Sequence, residues 1–215
     1  MTLLNFLQNS IVGAEGLSAF VGLLYYKKVE NTYWKYLVWY CLLIFLNELF
    51  SLLVLVNYTD FRGYYYDIYG IPIQFLFLFW LFAKKSLQLN KLYTISVILY
   101  LCSFLPHFFY KERYGLINSM SYTIGCFFLL IMCVLEFLKQ IKSDDILNFK
   151  TNRMFYINLG VLLFYIGTMP FYTFMKQILE SDVELYKSYR NFSVIAGIIL
   201  YLLFTLSFIC GKQKK

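Results

Sequence analysis

The sequence predicts an all-α polytopic membrane protein, a bundle of seven transmembrane helices, on three observations. Of its 215 residues, 60% are hydrophobic and only 14% charged, with 23 Phe and 21 Tyr. A soluble domain carries about 25% charged and 45–50% apolar residues. Apolar runs approaching or exceeding the roughly 20 residues of a spanning helix recur along the whole chain. Lys and Arg cluster in alternate connections between those runs, as the positive-inside rule arranges them. A globular surface could not carry this composition, whereas lipid accepts it as solvent.

The runs cover residues 5–26, 34–57, 65–83, 92–109, 115–138, 154–176 and 190–211, and together they make residues 1–215 a single transmembrane domain. They are too long for strands and lack period-2 alternation. The first has no Lys or Arg before it and is followed by Lys27 and Lys28. A signal peptide has the reverse layout, so a retained helix is expected. The fourth is the shortest, bounded by Lys91 and by Pro106-His107, and Pro170 is expected to bend the sixth. No connection is Gly/Ser- or Pro-rich, or long enough to hold a kinase, a nuclease or a separate binding module.

Orientation follows from the cations. Thirteen lie in one set of connections: Lys27, Lys28, Lys35, Lys84, Lys85, Lys91, Lys139, Lys142, Lys150, Arg153, Lys212, Lys214 and Lys215. Six lie in the other: Arg62, Lys111, Arg113, Lys176, Lys187 and Arg190. The larger set is expected in the cytoplasm, with the N-terminus outside and the C-terminus inside. The same distribution argues against nucleic acid as a partner despite the net charge of +7. The lipid bilayer is the expected partner.

Carboxylates are costly at mid-membrane and need a partner, water or a proton there. Glu15 in the first helix, Asn47 and Glu48 in the second, and Gln74 in the third stand out. With a rise of 1.5 Å per residue, all lie roughly 13–15 Å below the outer surface. Tyr122 and Thr168 add hydroxyls in the outer halves of helices five and six, and Tyr69 is a further ligand candidate. The expectation is a polar cavity reached from outside and floored by Glu15, Glu48 and Gln74, above an inner half made of Leu, Ile, Val and Phe. The alternative is a set of interhelical hydrogen bonds. Glu136, just before Lys139, reads as an interfacial side chain reaching water. Ala14, Ser18 and Gly22 form a stripe of small residues suited to close helix packing, within the chain or in a homo-oligomer.

Several classes are excluded or disfavoured. The five cysteines all sit in apolar runs without a C-x-x-C pair, so no disulfide framework is expected. His107 is the single histidine, too few for a metal-dependent membrane hydrolase, and no metal site is expected. No H-E-x-x-H or G-x-S-x-G occurs. The last helix has no lysine for a retinal. No catalytic constellation is found, and no cofactor is expected.

Glu15 with Tyr25-Tyr26-Lys27-Lys28, Tyr33-Trp34-Lys35-Tyr36 leading to Asn47-Glu48, Tyr66-Asp67-Ile68-Tyr69 before Gln74-Phe75-Leu76, and Ile199-Leu200-Tyr201-Leu202-Leu203 carry a resemblance. The layout resembles an uncharacterised family of small seven-transmembrane-helix proteins of Bacteroidota, over most of the chain. That family is expected to carry Glu where Gln74 stands. The resemblance implies a bacterial inner-membrane location and a genetic link to sensory systems. The function expected first is a membrane sensor or ligand-binding protein that signals through a separate partner. A small-solute or cation transporter, and a structural subunit of a membrane complex, are the alternatives.

Overall fold

A computed structural model describes residues 3–55, 58–106, 118–143 and 146–211. His107, Lys111, Arg113, Lys212, Lys214 and Lys215 lie outside the described residues. The described chain is helical, with no strand among the described residues. Its long helices are α1 (Leu3–Leu24), α2 (Lys35–Leu53), α3 (Phe61–Ser86), α4 (Asn90–Cys102), α5 (Ser119–Lys142), α6 (Arg153–Thr173) and α7 (Val183–Cys210). Five of them, α2, α3, α5, α6 and α7, are long and apolar enough to cross a membrane. Two further apolar stretches, Asn9–Leu24 of α1 and the whole of α4, are shorter.

Several boundaries differ from the expectation. Helix α7 begins seven residues before 190, because the Asp182 side chain accepts from Glu184 N and Leu185 N and starts the helix there. Asn152 does the same for α6 through Met154 N, and Asn118 for α5 through Met120 N and Ser121 N. Helix α6 stops at Thr173 rather than 176, three residues after Pro170, and Phe174 breaks the chain before a short helix at Met175–Ser181. Helix α4 turns at Ser103–Phe104. At 13 residues it is about 20 Å long, short of a hydrocarbon core of about 30 Å.

Three segments widen into π-helical turns: Tyr66–Gly70 and Trp80–Ser86 in α3, and Leu162–Ile166 in α6. Such turns shift the phase of the side chains beyond them and often accompany functional sites.

Packing follows sidedness. On α7, Ile195, Ile199, Leu202, Leu206 and Ile209 are exposed, while Ala196, Gly197, Leu200, Tyr201, Phe204 and Phe208 are buried. An apolar stripe left outside the bundle is what a lipid-facing helix presents. Helix α1 packs between α2 and α7, α7 continues the ring to α6, and α6 to α5. Helix α3 carries the densest core, with Phe75, Leu78, Phe79, Leu81, Phe82 and Ala83 sealed from solvent. The Phe75 ring touches Tyr100, Tyr122 and Tyr165, one each from α4, α5 and α6. The small-residue stripe is used within the chain. Ala14, Ser18 and Gly22 are buried, Ser18 Oγ donates to Cys41 Sγ of α2 at 3.3 Å, and a Cβ on Gly22 would meet Phe208 and Val38.

A glycine is required where α5 passes Phe75. A Cβ on Gly125 would lie 2.6 Å from that ring, and three other rings hold it in place. Gly125→Ala should therefore cost about 1–3 kcal/mol by overpacking, or about 2–10 °C in Tm for a chain of this size. Adding Phe75→Leu should return part of the loss. An unchanged Tm for the single variant in one detergent would mean that α3 and α5 do not meet there.

Candidate functional site

The side chains expected at one level fall into three places, because depth along a helix does not fix the direction in which a side chain points. Glu15, on α1, is 5% exposed. Tyr201 of α7 faces its carboxylate, Tyr40 and Cys41 of α2 lie within its electrostatic reach, and Glu48 adds a like charge. Its Oε2 has no hydrogen-bond partner among the described residues.

Glu48 lies near one end of the bundle. Tyr66, in the first π turn of α3, donates a short hydrogen bond to its Oε2, and Arg62 stands 3.7 Å from its Oε1. Its neighbour Asn47 accepts from the Tyr65 hydroxyl at 2.9 Å. Helix α3 thus meets Glu48 and the Asn47 carbonyl from its own first turns, while Asn47 Nδ2 has no partner among the described residues. Asp67 and Asn118 close the same end, with Asn118 N donating to Asp67 Oδ1 at 2.8 Å.

Gln74 does not join the two acids. It accepts from the Tyr165 hydroxyl of α6 at 3.0 Å, and Tyr165 comes from the second helix that carries a π turn. Tyr122 pairs with Thr168 at 2.7 Å, across α5 and α6. Tyr69 is 44% exposed, with its ring against Tyr65. Tyr40, Tyr122, Tyr165 and Tyr201 are all buried, with the Tyr122 and Tyr165 ring centroids 6.4 Å apart.

The opposite end of the bundle carries a second polar cluster. Glu136 is not an interfacial side chain reaching water but is 1% exposed. Its Oε2 accepts from Ser86 Oγ at 2.7 Å and its Oε1 from Gln140 Nε2 at 3.1 Å. Lys139 Nζ lies 3.8 Å from Oε2 and donates to Ser86 O at 2.7 Å and to Ser86 Oγ at 3.1 Å. The lysine so caps the C-terminal carbonyls of α3, where a cation is favoured. Arg153, also buried, donates through Nε to Ser207 O at 3.1 Å and through Nη2 to Gly211 O at 2.8 Å, capping α7, with its plane 5.4 Å over the Trp34 ring. Tyr33, in the connection before α2, faces both groups. Burial, and then the Glu136 carboxylate, push its hydroxyl up to about 12, against the opposing pull of Arg153. It stays a neutral donor at physiological pH.

These contacts bring the α1–α2 connection, the ends of α3, α5 and α7, and the start of α6 to one end of the bundle. Of the residues there, Ser86, Glu136, Gln140 and Arg153 were not among the expected site residues. A signal for two of them is in the sequence: Glu136 and Gln140 continue the three-and-four spacing of Cys126, Leu129 and Cys133, all on the buried face of α5.

A cleft of about 530 Å³ lies between α2 and α3, lined by Tyr36, Trp39, Tyr40, Leu43, Ile73, Phe77, Trp80 and Lys85. It opens sideways between the two helices, and none of Glu15, Glu48 and Gln74, the expected floor of a polar cavity, lines it. No group of His, Cys, Asp and Glu suited to a metal ion occurs among the described residues. No protein-family model, curated protein or solved structure matches this chain.

The two acids outside the Glu15 centre should differ in what they contribute. Glu136→Ala leaves Ser86 Oγ and Gln140 Nε2 without their acceptor, and Lys139 without its carboxylate, in a buried site, a loss of about 1–3 kcal/mol. Glu48 is 20% exposed with its Arg62 partner 30% exposed, so Glu48→Ala should cost less than about 1 kcal/mol. Thermal unfolding of both variants in the same detergent measures the contrast, and equal losses would put Glu136 in contact with water.

Proposed function

We propose that this chain is a multi-pass sensor of a bacterial inner membrane, crossing seven times with its basic end in the cytoplasm. Binding of a proton or small cationic ligand at Glu15 shifts α1 and α2 against α3, and a separate membrane or cytoplasmic partner reads the shift at the basic end. The observation that carries this proposal is Glu15 itself, a carboxyl buried between α1, α2 and α7 with one oxygen unpartnered among the described residues. A carboxylate with a purely structural role would be met as fully as Glu136 is. The seam to be shifted holds a cleft: α2 and α3 touch there through aromatic side chains.

Seven crossings are supported by the alternation of the helices and by the grouping of the basic connections at one end. The resemblance to small seven-helix proteins of Bacteroidota supports the location and the link to sensory systems.

Transport of protons or a small cation is the second reading. The buried hydroxyls of Tyr201, Tyr40 and Tyr165 and the polar groups at both ends favour it, since a permeating ion needs polar groups beyond the outer half. The separation from sensing is direct, because a sensor moves nothing.

Trp34, Trp39 and Trp80 are the only tryptophans and flank α2 and α3, so their fluorescence reports on that seam. In nanodiscs the parent should change emission between pH 5 and pH 9, while Glu15→Gln should stay flat. Glu15→Gln should also raise Tm by about 2–6 °C, since a neutral amide costs less to bury. Proteoliposomes loaded with a pH dye should show no flux. An emission change that persists in Glu15→Gln defeats the sensor proposal, and flux lost in that variant establishes transport in its place.

A further inference from the structure

The cleft between α2 and α3 has the polarity profile of a membrane lipid. Its lining runs along α2 from Tyr36 to Leu43 and along α3 from Ile73 to Lys85. At 1.5 Å per residue these stretches are about 11 and 18 Å long, close to the roughly 15 Å depth of one leaflet's hydrocarbon. Both begin at the basic end of the bundle. The only charged lining residue, Lys85, stands there with Nζ 5.3 Å from the Trp80 ring centroid, and Lys35 Nζ lies 5.4 Å from that of Tyr36. No carboxylate lines the cleft. Further from that end the walls are Tyr40 stacked on Phe77 at 4.1 Å, with Leu43 and Ile73 beyond. Trp39 and Tyr36 are 51% and 47% exposed, so the cleft opens on the lipid side. Its volume falls in the about 300–1,000 Å³ range of ligand sites.

We infer that this cleft is a binding site for one anionic phospholipid of the basic-side leaflet, with an acyl chain lying between α2 and α3 and the phosphate held by Lys35 and Lys85. Charge complementarity selects the headgroup, and the aromatic walls with their apolar inner end select a chain rather than a soluble anion. A Lys beside an anionic headgroup supplies attraction that a zwitterionic lipid, with its own compensating cation, gives up. The inference does not rest on the proposed sensing at Glu15, and it stands if that proposal fails.

The test uses the full chain in a Trp34→Phe background, which leaves Trp39 and Trp80, both in the cleft wall, as the only reporters. Reconstitution with traces of brominated-chain phosphatidylglycerol or brominated-chain phosphatidylcholine, in unbrominated phosphatidylcholine, gives the relative affinity from quenching. Phosphatidylglycerol should be favoured by about fivefold for each lysine engaged, and Lys35→Gln with Lys85→Gln should abolish the preference. Lys84→Gln is the control, because Lys84 lies over Tyr93 of α4 and not on the cleft. Equal quenching by the two lipids overturns the inference. So does a preference that survives the double substitution, or one lost equally in Lys84→Gln, which would mark a general surface charge.

Discussion

Inside a bilayer a polar group has no water to fall back on, so each one must be met by another group of the same chain. The ends of this bundle are organised by that requirement. At one end Arg62 and Tyr66 meet Glu48. At the other, Ser86, Gln140 and Lys139 meet Glu136, while Arg153 takes up the last carbonyls of α7. Each end ties three or more helices together through groups that would be expensive to expose singly. The middle is held differently, by rings packed around Phe75 and by glycine where a helix must come close. Glu15 is a buried carboxyl with one oxygen unpartnered among the described residues, and for that reason it carries the functional case.

The three π turns belong to the same logic. Each one contains a hydroxyl that reaches a polar side chain on another helix: Tyr66 to Glu48, Ser86 to Glu136, and Tyr165 to Gln74. A regular α-helix repeats its side chains with a fixed phase, so a helix built to bury an apolar face cannot also aim each polar group at its mate. Widening one turn resets the phase. Helix α3 does this twice, at its two ends, and keeps an ordinary turn between them for Phe75, Leu78 and Phe79.

That phase shift also sets what could be read in advance. The helical class and the approximate place of each long apolar helix follow from composition and run length, which lipid imposes directly. Helix starts were legible in principle, since Asp182, Asn152 and Asn118 are ordinary capping residues, but the amphipathic stretch from Val183 to Arg190 hid the true beginning of α7. The candidate site was read by depth alone. Depth placed Glu15, Glu48 and Gln74 at one level, whereas azimuth sends Glu48 to α3, Gln74 to α6 and Glu15 between α2 and α7. Nothing in the run of residues announces a π turn, so the partners of Gln74 and Glu48 could not be derived. Glu136 is the opposite case. Its spacing from Cys133, Leu129 and Cys126 puts it on the buried face, a stronger signal than its nearness to Lys139.

Tyr40 connects the two regions singled out above. One face of its ring stacks on Phe77 and forms the wall of the cleft, its edge meets Phe204 of α7, and it lies within electrostatic reach of Glu15. Helices α1, α2 and α7 pack closely as a group, and the contact of α7 with α6 joins them to the rest. The α2–α3 seam is tied at one end by Glu48 and Asn47 and holds the cleft further along. A chain lying in the cleft spreads that seam, and a change at Glu15 alters the surroundings of the same tyrosine from behind. Two occupants acting on one movable contact must influence each other equally in both directions, because binding linkage is reciprocal. If a lipid is held at Lys35 and Lys85 and a proton at Glu15, each would change the affinity for the other through Tyr40.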